Sequence, residues 1–125
     1  MKYLVLVPTY NEKTNIENLI NQILRVDDRL DILVIDDNSS DGTGELADKI
    51  SKINTRVKVI HREKKLGLGS AYVTGFKYAI DADYDFVFEM DADFSHNPET
   101  LPVFIDKMKD YDLVVGSRYL NGISV

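Results

Sequence analysis

The sequence contains no cysteine and no tryptophan, and it has no apolar run long enough to cross a membrane. Without cysteine, disulfide bonds, thiolate metal sites and cysteine nucleophiles are excluded. Basic residues are also few: 15 Lys and Arg stand against 21 Asp and Glu, which gives a net charge of −6. This balance argues against general nucleic-acid binding, which depends on basic side chains that neutralise phosphates. With 125 residues, 44% of them hydrophobic, the chain can bury one core, and we expect a single domain over residues 1–125.

Short apolar runs alternate with amphipathic stretches along the whole chain. The runs predict five strands, at residues 3–7, 32–35, 57–60, 86–90 and 113–115. An amphipathic stretch with helical spacing separates each strand from the next, and Thr14 with Glu17 has capping-box spacing at the start of the first. Strands separated by single helices form right-handed βαβ units. We therefore expect an α/β fold, a three-layer sandwich with a mostly parallel sheet.

Polar clusters follow four of the predicted strands, at residues 9–12, 36–41, 91–96 and 116–119. The carboxyl ends of parallel strands lie at one edge of a sheet, where ligands bind in open α/β folds. The sequence therefore predicts that these clusters gather at that edge and form the site.

Asp91 and Asp93, with Ala92 between them, are the strongest candidate site residues. Two carboxylates separated by one residue of extended chain point to the same side, and a cation beside them relieves their repulsion. Hard oxygen ligands suit Mg²⁺ or Mn²⁺, which complete their coordination with water and substrate phosphates. The alternative is that one Asp caps the next helix while the other is solvated. The position at the end of a buried strand favours the metal site.

Asp36 and Asp37 end the second predicted strand. A carboxylate at this place commonly accepts hydrogen bonds from the base or ribose of a nucleotide. The alternative is a turn, because Asp and Asn favour turn conformations, and Asp41 with Gly42 is typical of a tight turn or helix start. We predict that Asp37 is functional and that Asp41 is structural.

The loop at residues 8–12 follows the first predicted strand. Tyr10 offers an aromatic face on which a base could stack, and Glu12 offers an acceptor for ring N–H groups. A loop that only ends the strand and leads into the helix explains the same residues equally well.

The glycines between the third strand and its helix do not form a dinucleotide-binding motif. Gly67 and Gly69 have the required spacing, but Tyr72 occupies the third glycine position. The dense basic patch of Arg62, Lys64 and Lys65 could meet a phosphate or a lipid headgroup, although a solvated loop is the simpler interpretation. After the fifth predicted strand, the planar fork of Arg118 suits a diphosphate.

Five segments, in this order and spacing, resemble the dolichol-phosphate (polyprenyl-phosphate) mannose synthases: VPTYNE, VIDDNSSDGT, REKKLGLGSAYVTG, MDADFSHNPE and VVGSRY. These enzymes belong to a large inverting glycosyltransferase family with an A-type, nucleotide-diphospho-sugar transferase fold. The resemblance covers essentially the whole chain. The first two segments are shared across many relatives, whereas the combination of KKLGLG with MDADFSH is more specific to the mannosyl-phosphate branch.

The resemblance implies transfer of mannose from GDP-mannose to a polyprenyl or dolichyl phosphate at a membrane surface, with inversion at the anomeric carbon. It implies a cytoplasmic protein, peripheral to the cytoplasmic face of the membrane, that uses Mg²⁺ or Mn²⁺. By the family pattern, the guanosine would be held by Pro8, Tyr10, Glu12, Ile35 and Asp37. The metal and diphosphate would be held by Asp91, Ala92 and Asp93. Arg118 would also contact the donor, and Asp93 and Arg118 would be catalytic.

Two departures from the family pattern affect these expectations. Ser95 stands where some relatives have a glutamine that ligates the metal, so this position is a weaker candidate ligand that water could replace. Family members also continue beyond the GSRY segment into the acceptor-binding region. We therefore expect a truncated fold, the donor-binding portion of the enzyme. An uncovered edge of its sheet would favour self-association.

Three other functions fit part of the pattern. A phosphohydrolase of the haloacid dehalogenase kind also uses an Asp-x-Asp pair, but there the pair follows the first strand and here it follows the fourth. A donor-binding fragment without turnover, and a relative that uses another nucleotide-sugar such as UDP-glucose, remain open alternatives.

Overall fold

A computed structural model of the chain describes residues 1–93 and 97–107, except for the side chain of Lys107. The strands in these residues are β1 (Tyr3–Thr9), β2 (Leu30–Asp36), β3 (Val57–His61) and β4 (Phe86–Glu89). The helices are α1 (Lys13–Val26), α2 (Thr43–Ile53), α3 (Leu68–Asp81) and α4 (Leu101–Lys107), and a 3₁₀ turn (Pro98–Thr100) precedes α4. Within the described ranges, no helix is both long and apolar enough to span a membrane.

The four strands form one parallel sheet in the order β3-β2-β1-β4. In the centre of the sheet, Val5 of β1 pairs with Ile32 of β2 on one side and with Phe88 of β4 on the other. The predicted parallel sheet is therefore confirmed for the first four strands. The fifth predicted strand, at residues 113–115, lies outside the described residues.

Helices cover both faces of this sheet and give the three layers that the sequence predicts. Helices α1, α2 and α4 pack on one face, and α3 packs on the other. Because alternate residues of a strand point to opposite faces, each inner strand is apolar along most of its length. The strand residues under α1, α2 and α4 are Tyr3, Val5, Val7, Leu30, Ile32, Val34, Val57 and Phe88. Those under α3 are Leu4, Leu6, Leu33 and Ile35.

The start of α1 differs from the prediction. The helix begins at Lys13, so Thr14 lies inside the first turn and is exposed, and the Glu12 side chain makes no capping hydrogen bond. Instead, the Lys13 N–H donates to Oδ2 of Asp41 at 3.1 Å, from the loop after β2. The capping-box prediction was wrong because a carboxylate distant in sequence satisfies an amide of the first turn.

Helix α3 lies close to the sheet at Gly75. A Cβ atom at Gly75 would lie 2.6 Å from Cδ1 of Leu6, which is fully buried, whereas a Cβ atom at Gly69 would meet nothing within 4 Å. We expect Gly75→Ala to be less stable than Gly69→Ala by about 1–3 kcal/mol, because the new methyl group overpacks the core. Urea denaturation measures the difference. Equal free energies of unfolding would show that Leu6 moves aside at no cost.

Candidate functional site

Three of the predicted polar clusters lie at the same edge of the sheet. All four strands are parallel, so the segments that follow β1, β2 and β4 leave the sheet at its carboxyl edge. The clusters at residues 9–12 and 36–41 and the described part of the third, residues 91–93, are therefore brought together as predicted. Residues 94–96 and the cluster at 116–119 lie outside the described residues.

The ends of β1 and β2 are joined by buried hydrogen bonds. Thr9 Oγ1 donates to Oδ1 of Asp36 at 2.7 Å, and the Asp37 N–H donates to the Thr9 carbonyl at 3.1 Å. Asp36 also accepts from the N–H and the hydroxyl of Ser39, at 3.0 and 2.6 Å. Asp36 is 2% exposed and its carboxylate accepts hydrogen bonds from both loops, so it holds the two loops together.

Two asparagines extend this connection into the loops. Asn11 and Asn38 have φ values of 55° and 54°, in the left-handed region that asparagine tolerates better than most residues. The Asn11 N–H donates to Ser39 Oγ at 2.8 Å, and the Ser40 N–H donates to Asn11 Oδ1 at 2.9 Å. The loop that carries Tyr10 is therefore fixed against the loop that carries Asp37.

Asp37 is held by a two-pronged ion pair with Arg62. Arg62 Nε donates to Oδ1 at 2.6 Å and Nη2 donates to Oδ2 at 2.8 Å, and both side chains are only 8% exposed. The Leu66 N–H also donates to Oδ2, at 3.2 Å. Paired donors of this geometry fix the plane of the carboxylate. The side chain is thus held in one orientation, and Arg62 and Leu66 fill three of the roughly four acceptor positions of the carboxylate.

Arg62 also fixes the start of α3. Its Nη1 donates to Ser70 Oγ at 2.7 Å, and its Nη2 donates to the Gly67 carbonyl at 3.2 Å. The sequence favours a solvated loop for the basic patch, and for Arg62 this prediction is wrong. The parallel register of β2 and β3 explains the pairing. Asp36 lies opposite His61 at the ends of the two strands, so the residues that follow them, Asp37 and Arg62, leave the sheet side by side.

The other predicted guanosine-binding residues differ in exposure. The Tyr10 ring is 44% exposed, and Nζ of Lys65 lies 4.6 Å from its centroid. Pro8 and Glu12 are half-buried. Ile35 is fully buried in the core beneath α3, so its side chain faces away from solvent.

The acidic pair follows β4 after one residue, Met90, and Ala92 and Asp93 lie in a turn rather than in the extended chain that the sequence predicts. Asp91 is half-buried and its Oδ1 accepts a hydrogen bond from the Tyr72 hydroxyl at 3.2 Å, whereas Asp93 is exposed. Ala92, 3% exposed, belongs to the core under α1, α2 and α4. The residue that breaks the dinucleotide motif, Tyr72, therefore orients the first carboxylate of the pair.

The donor set of this pair fits a hard divalent cation. Both candidates are carboxylates, which suit Mg²⁺ and Mn²⁺. In the part of the chain that the structure describes, no group of three acidic or histidine side chains is placed to hold a metal. A metal held by two carboxylates would therefore take most of its coordination sphere from phosphate and water. Two further predicted site residues, Ser95 and Arg118, lie outside the described residues.

Asp41 is structural, as predicted. Its carboxylate accepts from the Lys13 N–H at 3.1 Å and from the Thr43 N–H at 3.0 Å, so it caps the starts of both α1 and α2. Although desolvation opposes ionisation, the hydrogen bonds from Thr43 and Lys13 hold the pKa of Asp41 below its ordinary value. A lowered pKa stabilises the fold above the ordinary carboxyl pKa, and this stabilisation is lost as the pH falls through the lower folded value.

We expect Asp41→Ala to lower the free energy of unfolding at neutral pH by about 1–2 kcal/mol, as loss of a helix cap does. The deficit should shrink below pH of about 4, where the wild-type carboxylate is itself protonated in the unfolded chain. Urea denaturation across the acid range measures both effects. A deficit that does not change with pH would mean that the charge of Asp41 contributes nothing.

A parallel sheet with helices on both faces is an open α/β architecture, in which ligands bind at the carboxyl edge where these loops are joined. The model of one family, Glycosyl transferase family 2, matches residues 4–125. The chain belongs to this family.

Two curated proteins support the more specific resemblance seen in the sequence. The chain is 44% identical over 124 residues to the polyprenol monophosphomannose synthase of Mycolicibacterium smegmatis, covering 98% of this chain and 47% of that protein. It is 42% identical over 122 residues to the undecaprenyl-phosphate mannosyltransferase of Micrococcus luteus, covering 98% of this chain and 50% of that protein. The resemblance to the polyprenyl-phosphate mannose synthases is confirmed, and the chain spans about half the length of these relatives.

A solved structure supports the fold. The mannosyltransferase PcManGT from Pyrobaculum calidifontis, in complex with GDP-Man and Mn²⁺, aligns with a TM-score of 0.71 and 26% sequence identity. The alignment covers 83% of this chain and 31% of that one. The predicted nucleotide-sugar transferase fold is confirmed.

Proposed function

We propose that the chain is the donor-binding portion of a metal-dependent mannosyltransferase that moves mannose from GDP-mannose to a polyprenyl or dolichyl phosphate. The observation that carries the proposal is the fixed carboxylate of Asp37, held by Arg62 at the carboxyl edge beside the exposed ring of Tyr10. Relatives named as polyprenol monophosphomannose synthase and undecaprenyl-phosphate mannosyltransferase support the choice of sugar and acceptor. The GDP-Man and Mn²⁺ complex of the Pyrobaculum enzyme supports the choice of donor and metal.

In this proposal the edge formed by β1 and β2 binds the nucleoside. The guanine base stacks on Tyr10, which requires Lys65 to leave the ring face or to lie over the other side of the base. The oriented carboxylate of Asp37 and the side chain of Glu12 accept hydrogen bonds from donor N–H or O–H groups. Pro8 and Ile35, which lie opposite each other in the register of β1 and β2, contribute backbone contacts.

The acidic pair binds the other half of the donor. Asp91 and Asp93 would hold Mg²⁺ or Mn²⁺, and Ala92 would give a backbone contact. Arg118 would contact the diphosphate, and Ser95 would be a weaker metal ligand. The metal supplies positive charge that neutralises the departing diphosphate. Asp93 is catalytic through this charge balance and Arg118 through its contact with the leaving group.

The acceptor needs no strong general base, because its phosphate is already an anion. A phosphate oxygen forms a bond to the anomeric carbon, the bond from that carbon to the diphosphate breaks, and GDP leaves with the electron pair. Attack opposite the leaving group inverts the anomeric configuration. Since the acceptor is a membrane lipid, we propose a cytoplasmic protein that is peripheral to the cytoplasmic face of the membrane.

Calorimetric titration with GDP and with UDP, each with and without Mn²⁺, tests the donor site. We expect GDP to bind at least about tenfold more tightly with Mn²⁺ than without it, a difference of about 1.4 kcal/mol, and more tightly than UDP. Preference for UDP would favour the alternative of another nucleotide-sugar, such as UDP-glucose. If neither nucleotide binds, the proposal is wrong for residues 1–125.

Turnover is tested separately, because the chain spans 47% and 50% of its two relatives. Radiolabelled GDP-mannose is incubated with the chain and a polyprenyl phosphate, and the label is followed into the lipid phase. Binding of GDP without transfer would favour the alternative of a donor-binding fragment.

Self-association through a sheet edge remains a prediction. Among the described strands, β3 and β4 are the outer two. Analytical ultracentrifugation over a range of concentrations tests it, and a stable monomer throughout would contradict it.

A further inference from the structure

The backbone on either side of Asp91 is anchored in the core. Met90 and Ala92 are buried, and both belong to the core under α1, α2 and α4. The Met90 N–H also donates to the Leu6 carbonyl of β1 at 2.9 Å. Asp91 itself is half-buried and contacts Tyr72 of α3, on the opposite face of the sheet. Its carboxylate is therefore contacted from the α3 side, while its backbone is held from the other.

Tyr72 reaches Asp91 from a helix that lies close to the sheet. The side of α3 that faces the sheet carries small residues, Ala71, Gly75 and Ala79, and all three are buried. The ring of Tyr72 packs against the core under α3, and its hydroxyl donates to Oδ1 of Asp91 at 3.2 Å. Because packing limits where the ring can lie, the hydrogen bond limits the orientations of the carboxylate.

The first turn of α3 is fixed in turn by Arg62. Its Nη1 donates to Ser70 Oγ at 2.7 Å, and its Nη2 donates to the Gly67 carbonyl at 3.2 Å. The same guanidinium holds the carboxylate of Asp37. Tyr72 follows Ser70 by two residues. One helical turn is thus joined to Asp37 at one end of the site and to the acidic pair at the other.

We propose that Tyr72 is a positioning residue for the metal: its hydroxyl holds the carboxylate of Asp91 in place, and Arg62 holds the helical turn from which Tyr72 extends. This role rests on the proposed function, in which Asp91 binds Mg²⁺ or Mn²⁺. Carboxylates that ligate a metal are themselves held by hydrogen bonds, and loss of such a partner commonly lowers metal affinity about 10–100-fold. The nucleoside half and the metal half of the donor site are then set by one turn of α3.

A matched tyrosine at the other end of β4 distinguishes positioning from general stabilisation. The Tyr84 hydroxyl donates to Oδ2 of Asp31 at 2.6 Å, and Tyr84 packs against the same core as Tyr72. Tyr72→Phe and Tyr84→Phe each remove one hydroxyl from a hydrogen bond to an aspartate and keep the aromatic ring. Both variants should be less stable than the wild type, but only Tyr72→Phe should bind metal more weakly.

Two measurements of Mn²⁺ binding test the proposal. Electron paramagnetic resonance of free Mn²⁺ gives the metal affinity without nucleotide, and calorimetry gives the Mn²⁺ concentration that strengthens GDP binding. We expect Tyr72→Phe to weaken Mn²⁺ binding at least about tenfold in both and to leave GDP binding without Mn²⁺ unchanged. Urea denaturation verifies that each variant is folded. Unchanged Mn²⁺ affinity in Tyr72→Phe, or an equal loss in Tyr84→Phe, would overturn the proposal.

The wild-type chain separates this role from the proposed function. If Mn²⁺ strengthens GDP binding equally in the wild type and in Tyr72→Phe, only the positioning role is wrong. If the wild type binds no Mn²⁺, or if Asp91→Asn binds it as tightly as the wild type, the proposed metal site is wrong and the positioning role fails with it.

Ser70→Ala tests the part that Arg62 plays. This variant removes the acceptor of Nη1 and leaves the contact with the Gly67 carbonyl. We expect Mn²⁺ affinity to fall about two- to fivefold, less than in Tyr72→Phe, because one hydrogen bond of the turn remains. Thr74→Ala is the control, since it removes a hydroxyl one turn further along α3 that donates to the Ser70 carbonyl. If Ser70→Ala binds Mn²⁺ as tightly as Thr74→Ala, Arg62 does not set the position of Tyr72.

Discussion

Replacing Arg62 with methionine is expected to lower the free energy of unfolding by about 3–5 kcal/mol, because the carboxylate of Asp37 then stays buried without its partner. The pair is 8% exposed on both sides, with contacts of 2.6 and 2.8 Å. A loss of this size is a large part of the stability of a small domain. Guanidinium chloride denaturation at neutral pH measures it.

The control for this prediction is Arg29→Met. Arg29 also pairs with an aspartate, Asp27 at 2.6 Å, but its side chain is 44% exposed. Exposed pairs contribute little, so this variant should lose much less stability than Arg62→Met. Similar losses in the two variants would mean that burial does not govern the contribution of the Arg62 pair.

A double substitution measures the interaction between Arg62 and Asp37 apart from the other contacts of each residue. In Arg62→Met with Asp37→Leu no buried charge is left alone, so the double variant should be more stable than the sum of the single losses predicts. Asp37→Leu, alone or together with Arg62→Met, should bind GDP weakly. If the effects of the two substitutions simply add, the ion pair does not fix Asp37.

The architecture could be predicted because it depends on patterns that are local in sequence. Apolar runs and helical spacing predicted four strands of the parallel sheet, and the parallel sheet in turn placed the loops after β1, β2 and β4 at one edge. The same reasoning predicted a structural role for Asp41, which caps two helices, while the functional role of Asp37 stays a prediction. No knowledge of side-chain contacts was needed for these conclusions.

What the sequence did not reveal depends on contacts between distant residues. The cap of α1 comes from Asp41, which is 28 residues away from Lys13, so the local capping-box pattern gave the wrong start. The partner of Asp37 is Arg62, 25 residues further along. A basic residue in a loop is usually solvated, and only the alignment of β2 with β3 shows that this one is not. The contact of Tyr72 with Asp91 likewise requires α3 to lie against the end of β4.

The second large effect is expected at the acidic pair. Asp91→Asn with Asp93→Asn removes both carboxylate charges while it keeps the shape of the side chains. We expect Mn²⁺ affinity to fall by at least about 100-fold, because loss of partners that only support metal ligands already costs about 10–100-fold. GDP should then bind equally weakly with and without Mn²⁺, as measured by calorimetry. Asp37→Asn should instead weaken GDP binding under both conditions, since it acts on the nucleoside.

The matched control is Asp83→Asn, an identical change at the other end of β4. Asp83 is exposed, precedes the strand and has a φ of 61°, a conformation that asparagine accepts as readily as aspartate. This variant should keep the full Mn²⁺ dependence of GDP binding. Comparing variants at the two ends of β4 therefore distinguishes a metal site from a general effect of lost negative charge. If the double variant at residues 91 and 93 retains its Mn²⁺ dependence, the metal does not bind at the carboxyl end of β4. If Asp83→Asn loses it as well, net charge rather than coordination attracts the cation.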